Sequence, residues 1–478
     1  MNDKPNIVFI VLDSVRFDRT SVGGYNRNTT PNLDRIANMF RGNSFSTAVA
    51  HARYTLPSVA SILSGRHPIE HRVGLDKTTL ESSISTVPEA FRQAGYTTAG
   101  VSNNAFVSEE TGLARGFDSF VLKPNSVSGI VKTVGIKPTL RWITNLQEHS
   151  AGFTTDAPRH STAYLLSSLT KQRLKQLELQ SEPFFLYTHF DQPHRPYSPP
   201  KSWVETYADR FAMSPSEAVD FSMDVHNNLE QYVAEGLQLT EDQWAVLNAL
   251  YDAQIEYTDQ FIGKLFDYIQ CRCKDTIVVV TADHGEHMGE RGALGHKYAL
   301  DDALLNVPLV TWGIDPASTE HPVQHTDVMR TLLQIAGAES EFVDGIDLRN
   351  ETRECAISQD TSRSLEALHK HSSQLDPTQF FPDIDRTLPA RTSLRTGSYR
   401  YTRETHEPKR LSELIDVNTH NNIVQPEVEA ELNLKLDQWL KERQSLGLST
   451  QEAADTDRIS APAKERLRQM GYLEEDLK

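Results

Sequence analysis

Cysteine is scarce in this chain of 478 residues. Only Cys271, Cys273 and Cys355 are present, and no two of them have the Cys-x-x-Cys spacing. A disulfide framework usually has an even number of cysteines, and thiolate metal sites commonly use that close spacing. The cysteine content therefore argues against both kinds of site.

Long apolar runs are missing as well. The apolar run at residues 7–12 is too short for the core of a signal peptide. No other run approaches the roughly 18 apolar residues that a membrane helix needs. We therefore expect a cytoplasmic protein without an integral membrane segment.

Basic residues are outnumbered, with 48 Lys and Arg against 65 Asp and Glu and a formal net charge of −17. A nucleic-acid binder needs a basic surface, so we expect no nucleic-acid partner. The surplus acids can form a solvated surface or bind cations. Because the chain has 15 Tyr and 19 Phe, it can form a sizeable core, which excludes disorder as its overall state.

Short apolar runs alternate with segments of helical periodicity, which predicts an α/β fold with a mostly parallel sheet flanked by helices. The predicted strands are residues 7–12, 97–102, 183–189 and 276–282. The predicted helices are residues 31–39, 87–94, 244–269 and 325–336.

The composition becomes more polar near residue 350, which predicts three parts. Residues 1–350 form the main domain, and residues 351–445 form a small α+β subdomain. In that subdomain we expect an antiparallel hairpin at 393–403 and a helix at 427–444. Residues 446–478 form a polar tail.

Ionisable residues follow three of the predicted strands. They are Asp13, then His189 and Asp191 in the sequence His-Phe-Asp, and the pair Asp283 and His284. The ends of parallel strands lie at one edge of a sheet, so these side chains are expected to converge. Carboxylate and imidazole ligands suit Mg, Ca, Mn or Zn. An acid at a single strand end also fits an ordinary turn.

Thr55 lies at the start of a predicted helix, because Pro57 fits a first turn and Gly65 fits a helix end. Free amides and the helix dipole favour an anion at such a position. A hydroxyl there is usually an N-cap, whereas a hydroxyl deprotonated by a metal is a nucleophile. Arg16, three residues after Asp13, and Lys297 are candidates for neutralising an anionic substrate, or are ordinary surface cations.

Several segments together resemble the sulfatase family of the alkaline phosphatase superfamily along nearly the whole chain. They include PNIVFIVLDSVR, TLPSVASILSGRHP, FFLYTHFDQPHRPYSPP and ADHGEHMGERGALGHKYALDDALLNVPLV. The resemblance implies an alkaline-phosphatase-like sheet with a small C-terminal α+β subdomain. Residues 1–350 would then be the catalytic domain.

The resemblance also implies roles for individual residues. Asp13, Asp283 and His284 fall where the family binds one divalent cation, and Thr55 falls at the position of the nucleophile beside that cation. His194 and His296 fall where the family holds the anionic group or protonates the leaving oxygen. Lys297 is a looser match to the family's active-site lysine.

The chain departs from the family pattern at three positions. Sulfatases oxidise a Cys or Ser to formylglycine, and Thr55 cannot give that aldehyde, so formylglycine is not expected. Val59 stands where the motif has arginine, and Ser14 stands where a second acid follows the first. Threonine as nucleophile is similar to the phosphodiesterase and phosphotransferase branches of the superfamily.

We therefore expect a metal-dependent hydrolase of sulfate or phosphate esters, acting on a small anionic ester of an alcohol such as a sugar or a lipid head group. One alternative is a phosphodiesterase or a phosphotransferase, similar to phosphoglycerol or phosphoethanolamine transferases, without sulfatase activity. In that case Asp191, His194 and His296 are candidates for a second metal site. The three-residue spacing of Asp191 and His194 favours one metal. A second alternative is a non-catalytic relative that binds an anion or a glycan.

Overall fold

The structure is a computed structural model of the chain. It describes residues 4–75, 77–145, 148–149, 159–297, 299–360, 363–364, 387–388, 390–405, 412–444, 460–461 and 464–465. The predicted tail, residues 446–478, therefore lies almost entirely outside the described residues. The limits of the three predicted parts stay predictions.

A seven-stranded sheet forms the centre of the main domain, in the order β2-β11-β7-β1-β6-β4-β5. The five strands from β7 to β5 are parallel. At one side β11 pairs antiparallel with β7, and β2 pairs antiparallel with β11. The strands of this sheet are β1 (Asn6–Asp13), β2 (Gly42–Ser44), β4 (Thr97–Ser102), β5 (Ser119–Leu122), β6 (Phe184–Pro193), β7 (Thr276–Ala282) and β11 (Leu309–Trp312). This confirms the predicted fold class.

Apolar content explains why β1 lies at the centre. Its residues from Ile7 to Asp13 are all buried, because helices cover both faces and strands β6 and β7 pair with both edges. The pairing of β1 with β6 shifts between Leu12 and Asp13, so that Leu12 pairs with Phe190 while Asp13 pairs with Pro193. This bulge brings two separate parts of β6 to the same edge of the sheet.

Most of the helices cover the sheet or extend from it. Helix α11 (Glu241–Arg272) contains the predicted apolar stripe from Leu247 to Leu265, and the apolar side chains of that stripe are buried. The helix is longer at both ends than the predicted residues 244–269. Thr240 accepts a hydrogen bond from the amide of Gln243 and caps its N-terminus. The helices of the main domain are α1 (Pro31–Ala37), α2 (Thr55–Ser64), α3 (Pro68–His71), α4 (Val87–Gln93), α5 (Val127–Val134), α6 (Ile136–Thr144), α7 (Ala163–Leu177), α8 (Lys201–Thr206), α9 (Pro215–Asn227), α10 (Leu229–Ala234), α11 (Glu241–Arg272), α12 (Asp302–Leu305) and α13 (His325–Ile335).

A second, antiparallel sheet follows in the order β13-β16-β17-β18-β19. Helix α14 (Pro426–Gln444) packs on it through Leu432, Leu436 and Leu440, which lie one turn apart and are buried against Leu394 and Tyr401. The predicted hairpin and helix are confirmed. The strands of this sheet are β13 (Ala356–Asp360), β16 (Arg391–Arg395), β17 (Tyr399–Glu404), β18 (Ser412–Asp416) and β19 (Asn421–Asn422).

Three smaller sheets complete the described secondary structure. Strand β3 pairs with β10 and β12, strand β8 pairs with β9, and β14 pairs with β15. Their bounds are β3 (Ala48–Val49), β8 (His287–Met288), β9 (Leu294–Gly295), β10 (Asn306–Val307), β12 (Val323–Gln324), β14 (Arg363–Ser364) and β15 (Thr387–Leu388). Over the described parts of the chain, no helix combines the length and the apolar character needed to cross a membrane.

Four histidines around α2 and α13 are fully buried: His51, His67, His71 and His325. Burial lowers the pKa of all four, and it lowers that of His71 to about 3 and that of His325 to about 4, because a charged imidazole would lose its hydration. Below pH 6.5 the unfolded chain therefore binds protons that the folded chain excludes. The contribution of these four histidines to the free energy of unfolding therefore decreases as the pH falls from about 6.5 to 4.

Replacing His71 by Gln tests this pH dependence. Each excluded proton contributes a slope of about 1.4 kcal/mol per pH unit to the free energy of unfolding. We expect His71→Gln to reduce the slope between pH 4 and 6 by about one proton, measured by urea denaturation at several pH values. The exposed His321→Gln is the matched control and should leave the slope unchanged. An unchanged slope in His71→Gln would contradict the prediction.

Candidate active site

Two aspartates lie at the ends of neighbouring parallel strands. Asp13 is the last residue of β1, and Asp283 follows directly after β7. Because Leu12 pairs with Ala282 in the parallel ladder, the next residue of each strand lies at the same edge of the sheet. Both carboxylates are fully buried. The predicted convergence of these strand ends is what the structure shows.

Thr55 is the first residue of α2, after Tyr54 in extended conformation. Its hydroxyl Oγ1 lies 3.5 Å from Asp13 Oδ2 and 3.3 Å from His284 Nε2. The helix ends at Gly65, which has a φ of 68° in the left-handed region that glycine adopts without strain. Val59 is buried in the apolar core, so this position of the helix contributes packing.

Burial dominates the electrostatics of the two carboxyl groups. It raises the pKa of Asp13 to about 8, with a further increase from the nearby Asp283, and it raises the pKa of Asp283 to about 7. Hydrogen bonds offset only part of this effect. Asn104 Nδ2 donates to Asp13 Oδ2 at 2.9 Å, and Ser14 Oγ donates to Asp13 Oδ1 at 2.9 Å.

The residues present fit a divalent cation. His284 Nδ1 lies 2.8 Å from the carbonyl oxygen of Gly285, and a carbonyl only accepts, so Nδ1 carries the proton. Its Nε2 therefore presents a lone pair toward the carboxylates, 3.6 Å from Asp13 Oδ1 and 3.7 Å from Asp283 Oδ2. Among the described residues, Asp283 Oδ2 has no hydrogen-bond donor although it is buried. A cation would bind this oxygen and neutralise the two carboxylates.

Among the described histidines, cysteines and acids, Asp13, Asp283 and His284 form the one group whose ligand atoms all lie within 4.8 Å of one another. The second predicted set is arranged differently. Asp191 accepts hydrogen bonds from Asn103 and Thr162 and lies outside that group.

His189, one of the ionisable residues at the predicted strand ends, lies in the site although its position in the sequence assigned it no role. It lies on β6 beside β1, fully buried, and its Nε2 is 3.7 Å from Asp13 Oδ2 and 3.6 Å from Asp283 Oδ2. Its Nδ1 contacts the hydroxyl of Tyr187 at 3.3 Å. The signal was present in the sequence, because His189 and Asp191 end the same predicted strand, but only the parallel pairing shows which of them faces Asp13.

His194 and His296 lie beside this group. The ring centroid of His296 is 4.6 Å from that of His284 and 5.1 Å from that of His194. Burial lowers the pKa of both His194 and His296 well below the usual value. Glu286 Oε1 lies 3.2 Å from His296 Nδ1, and burial raises the pKa of Glu286 to about 8. The position of Glu286 in the sequence did not indicate a role for it.

Arg53 is a buried cation next to the same histidines. Its Nη1 donates to the carbonyl oxygen of His296 at 2.8 Å, and its Nε forms an ion pair of 2.7 Å with Asp360 on β13 of the second sheet. Its side chain is 1% exposed, and its Nη2 has no acceptor among the described residues. No sequence pattern selects this arginine, because its partner Asp360 is remote along the chain.

The two cations expected to bind substrate have other partners. Arg16 forms ion pairs of 2.6 Å with both Asp18 and Glu290. Lys297 Nζ lies 2.7 Å from Glu230 on α10. These carboxylates offset the positive charges that the sequence analysis offered to an anionic substrate.

Comparison with known proteins identifies the family of this chain. A sequence model described as "Sulfatase" matches residues 5–338. The chain belongs to the sulfatase family. This confirms the resemblance seen in the sequence motifs and the expected enzyme class, a hydrolase of ester bonds.

Named relatives of this sulfatase-family chain include the choline-sulfatase of Rhizobium meliloti (strain 1021), which is 27% identical over 368 residues, or 72% of this chain and 71% of the relative. The phosphonate monoester hydrolase of Agrobacterium radiobacter has a TM-score of 0.66 at 19% identity, covering 93% of this chain and 96% of that one. A structure solved with its substrate D-glucosamine-2-N,6-O-disulfate has a TM-score of 0.64 at 18% identity, covering 94% and 100%. Both structures share the fold of this sulfatase-family protein.

Replacing Asp283 tests whether the group of Asp13, Asp283 and His284 binds a divalent cation. At a free concentration of 100 times Kd, a bound cation raises the free energy of unfolding by about 2.7 kcal/mol. We expect Mn²⁺ or Ca²⁺ to give such an increase in the unmodified protein but not in Asp283→Asn, measured by thermal denaturation against EDTA. In EDTA, Asp283→Asn should be at least as stable as the unmodified protein, because one buried acid is gone.

Asp191→Asn is the matched control, since Asp191 is an acid of the same sheet edge that lies outside the three-residue group. It should keep the increase caused by the cation. The same increase in Asp283→Asn as in the unmodified protein would contradict the assignment.

Proposed function

We propose that the protein is a metal-dependent hydrolase of sulfate or phosphate esters in which Thr55 is the nucleophile. The single observation that carries this proposal is the position of the Thr55 hydroxyl. It lies at the N-terminus of α2, within 3.5 Å of both Asp13 and His284 in the three-residue group. A hydroxyl in that position can attack a tetrahedral oxyanion ester.

A divalent cation held by Asp13, Asp283 and His284, with the Thr55 hydroxyl as a further ligand, would lower the pKa of that hydroxyl and offset the charge of the ester. The chain itself supplies an acceptor for the hydroxyl proton, Asp13 Oδ2 at 3.5 Å, since the single lone pair of His284 Nε2 would be used by the cation. Loss of this proton leaves an alkoxide. Its attack forms a bond to sulfur or phosphorus and breaks the bond to the alcohol oxygen.

The leaving alcohol needs a proton, and His194 and His296 are the groups we assign to that step. His194 Nδ1 lies 2.7 Å from the carbonyl oxygen of Arg195, and His296 Nδ1 lies 3.2 Å from Glu286. These contacts orient each ring through Nδ1, and we assign the proton transfer to Nε2. Burial lowers the pKa of both rings, and a bound anionic ester would raise it again.

Positive charge for the substrate comes from Arg53 in this proposal. Arg16 and Lys297, the cations suggested by the sequence, are paired with Asp18, Glu290 and Glu230. Arg53 is buried and donates to the carbonyl oxygen of His296, and its Nη2 has no acceptor among the described residues. The N-terminal end of the dipole of α2 also favours the negative charge of the ester at Thr55.

The choice between sulfate and phosphate depends on the nucleophile. Formylglycine chemistry requires Cys or Ser, so Thr55 favours direct attack, which leaves a threonine ester that water or an acceptor alcohol then cleaves. A phosphodiesterase or phosphotransferase therefore stays the second candidate. The similarity in fold to a phosphonate monoester hydrolase supports phosphorus esters in the substrate panel.

The placement of Asp191 bears on the number of cations. Its carboxylate accepts hydrogen bonds from Asn103 and Thr162, which supports one cation rather than two. The intact group of Asp13, Asp283 and His284 supports an enzyme over a non-catalytic anion or glycan binder.

Two substitutions of Thr55 test the proposed function. Valine has the shape of threonine without the hydroxyl, so Thr55→Val should lower kcat by about a thousandfold or more, while Thr55→Ser should retain measurable turnover. Activity is measured on aryl sulfate, aryl phosphate monoester, diester and phosphonate substrates with Mg²⁺, Mn²⁺, Ca²⁺ or Zn²⁺. Full turnover by Thr55→Val would overturn the nucleophile assignment, and no turnover by the unmodified protein on any ester would overturn the function.

Arg53→Lys tests the proposed oxyanion contact. Lysine keeps the charge but not the forked donors, so we expect kcat/KM to fall by about a hundredfold and the inhibition constant of inorganic phosphate to rise. Arg403→Lys is the matched control, because Arg403 is equally buried and pairs with Asp437 in the second subdomain. Equal losses in both variants would mean that Arg53 acts only through stability.

A further inference from the structure

One stretch of this acidic chain contains no acid at all. The protein has 65 Asp and Glu, yet residues 119–145 include none, while Lys123, Lys132, Lys137 and Arg141 all lie within them. Helices α5 and α6 are formed by this stretch. Such a local reversal of charge indicates a surface that meets a negatively charged partner.

The same two helices expose apolar side chains. Ile136 is 64% exposed and Leu140 is 55% exposed, one turn apart on α6, and Val127 at the start of α5 is 53% exposed. They are three of the seven large apolar residues exposed in the described parts of the chain. Exposed apolar groups at helical spacing next to cations are typical of a contact surface.

The cations are arranged beside these apolar residues. Lys137 and Arg141 are exposed and also one turn apart on α6, each directly after one of the apolar pair, and Lys132 is exposed on α5. We call this set the α5–α6 surface. It consists of Val127, Lys132, Ile136, Lys137, Leu140 and Arg141.

The opposite side of α6 is anchored in the protein. Thr139 and Trp142 are buried, and Trp142 Nε1 donates to the carbonyl oxygen of Ser161 at 2.9 Å. Helix α6 therefore has a buried side that packs on the protein, and its exposed apolar side chains lie on the other side. The groove next to α6 adds Lys171 and Lys264 to the positive charge, with Glu148 as one acid among them.

The α5–α6 surface begins at the edge of the sheet that carries the candidate active site. The amide of Lys123, just after β5, donates to the carbonyl oxygen of Ser102 at 2.8 Å. Asn104, two residues beyond Ser102, donates to Asp13 at 2.9 Å. A partner bound at α5 and α6 would therefore lie beside the strand ends where the ester is expected to bind.

We propose that the α5–α6 surface docks the protein on a negatively charged lipid bilayer. Ile136, Leu140 and Val127 enter the region between head groups and acyl chains, and the adjacent lysines and arginine bind the anionic head groups. A sulfated polysaccharide would require the cations but would leave the apolar residues exposed to water. The combination of the two therefore favours the lipid surface. This proposal stands on the surface alone and does not depend on the proposed function.

Co-sedimentation of the full chain with vesicles tests the proposal. The unmodified protein should bind vesicles of phosphatidylcholine mixed with phosphatidylglycerol, bind phosphatidylcholine alone about tenfold or more weakly, and lose affinity as salt is raised. The double variant Ile136→Ser, Leu140→Ser should bind the anionic vesicles about tenfold more weakly. The triple variant Lys132→Glu, Lys137→Glu, Arg141→Glu should bind them about a hundredfold more weakly.

Two controls on α14 match these changes elsewhere on the surface. Leu434→Ser removes an apolar residue that is 68% exposed, and Lys441→Glu reverses an exposed cation. Neither should alter vesicle binding, and thermal denaturation should show that every variant is folded. The proposal is overturned if the unmodified protein does not bind anionic vesicles, if the apolar substitutions have no effect, or if only a sulfated polysaccharide such as heparin is bound.

Discussion

Two buried acids dominate the structure of the site. Asp13 and Asp283 lie at the ends of adjacent parallel strands with no exposure to solvent, and burial raises the pKa of each. Two carboxylates in such a place repel each other and have lost their hydration, which is unfavourable without a compensating positive charge. The surrounding groups are consistent with such a charge between them, since His189 and His284 both direct Nε2 toward the pair.

The fold brings chemically different groups to this pair through local features. Thr55 is the first residue of α2, so its hydroxyl lies at the positive end of the helix dipole, next to the first amides of the helix. The bulge in β6 places His189 and His194 at one edge although they are five positions apart, since Asp13 pairs with Pro193 while Leu12 pairs with Phe190. The result is a site assembled from several short segments of one sheet edge.

Periodicity and strand-end chemistry were enough to predict the central strands, helix α11, the hairpin of the second subdomain and the convergence of Asp13, Asp283 and His284. These features depend on local pattern and on the general geometry of parallel sheets. The partners of charged residues could not be predicted in this way. Arg16 forms an ion pair with Glu290, and Lys297 forms one with Glu230. In each pair the two residues lie far apart in the sequence, and no sequence pattern links them. The place of His189 in the site could not be predicted for a related reason, because only the strand pairing decides which residue at the end of a strand faces the neighbouring strand.

The ion pair between Arg53 and Asp360 has a consequence for the boundaries of the enzyme. The family match ends at residue 338, yet Asp360 lies beyond it on the second sheet and is the counterion of an arginine that holds the loop of His296. A fragment ending at residue 350 would leave Arg53 buried without that carboxylate, which is costly in a low-dielectric interior. The smallest unit able to hold the loop of His296 in place is therefore larger than the unit that carries the family's sequence motifs.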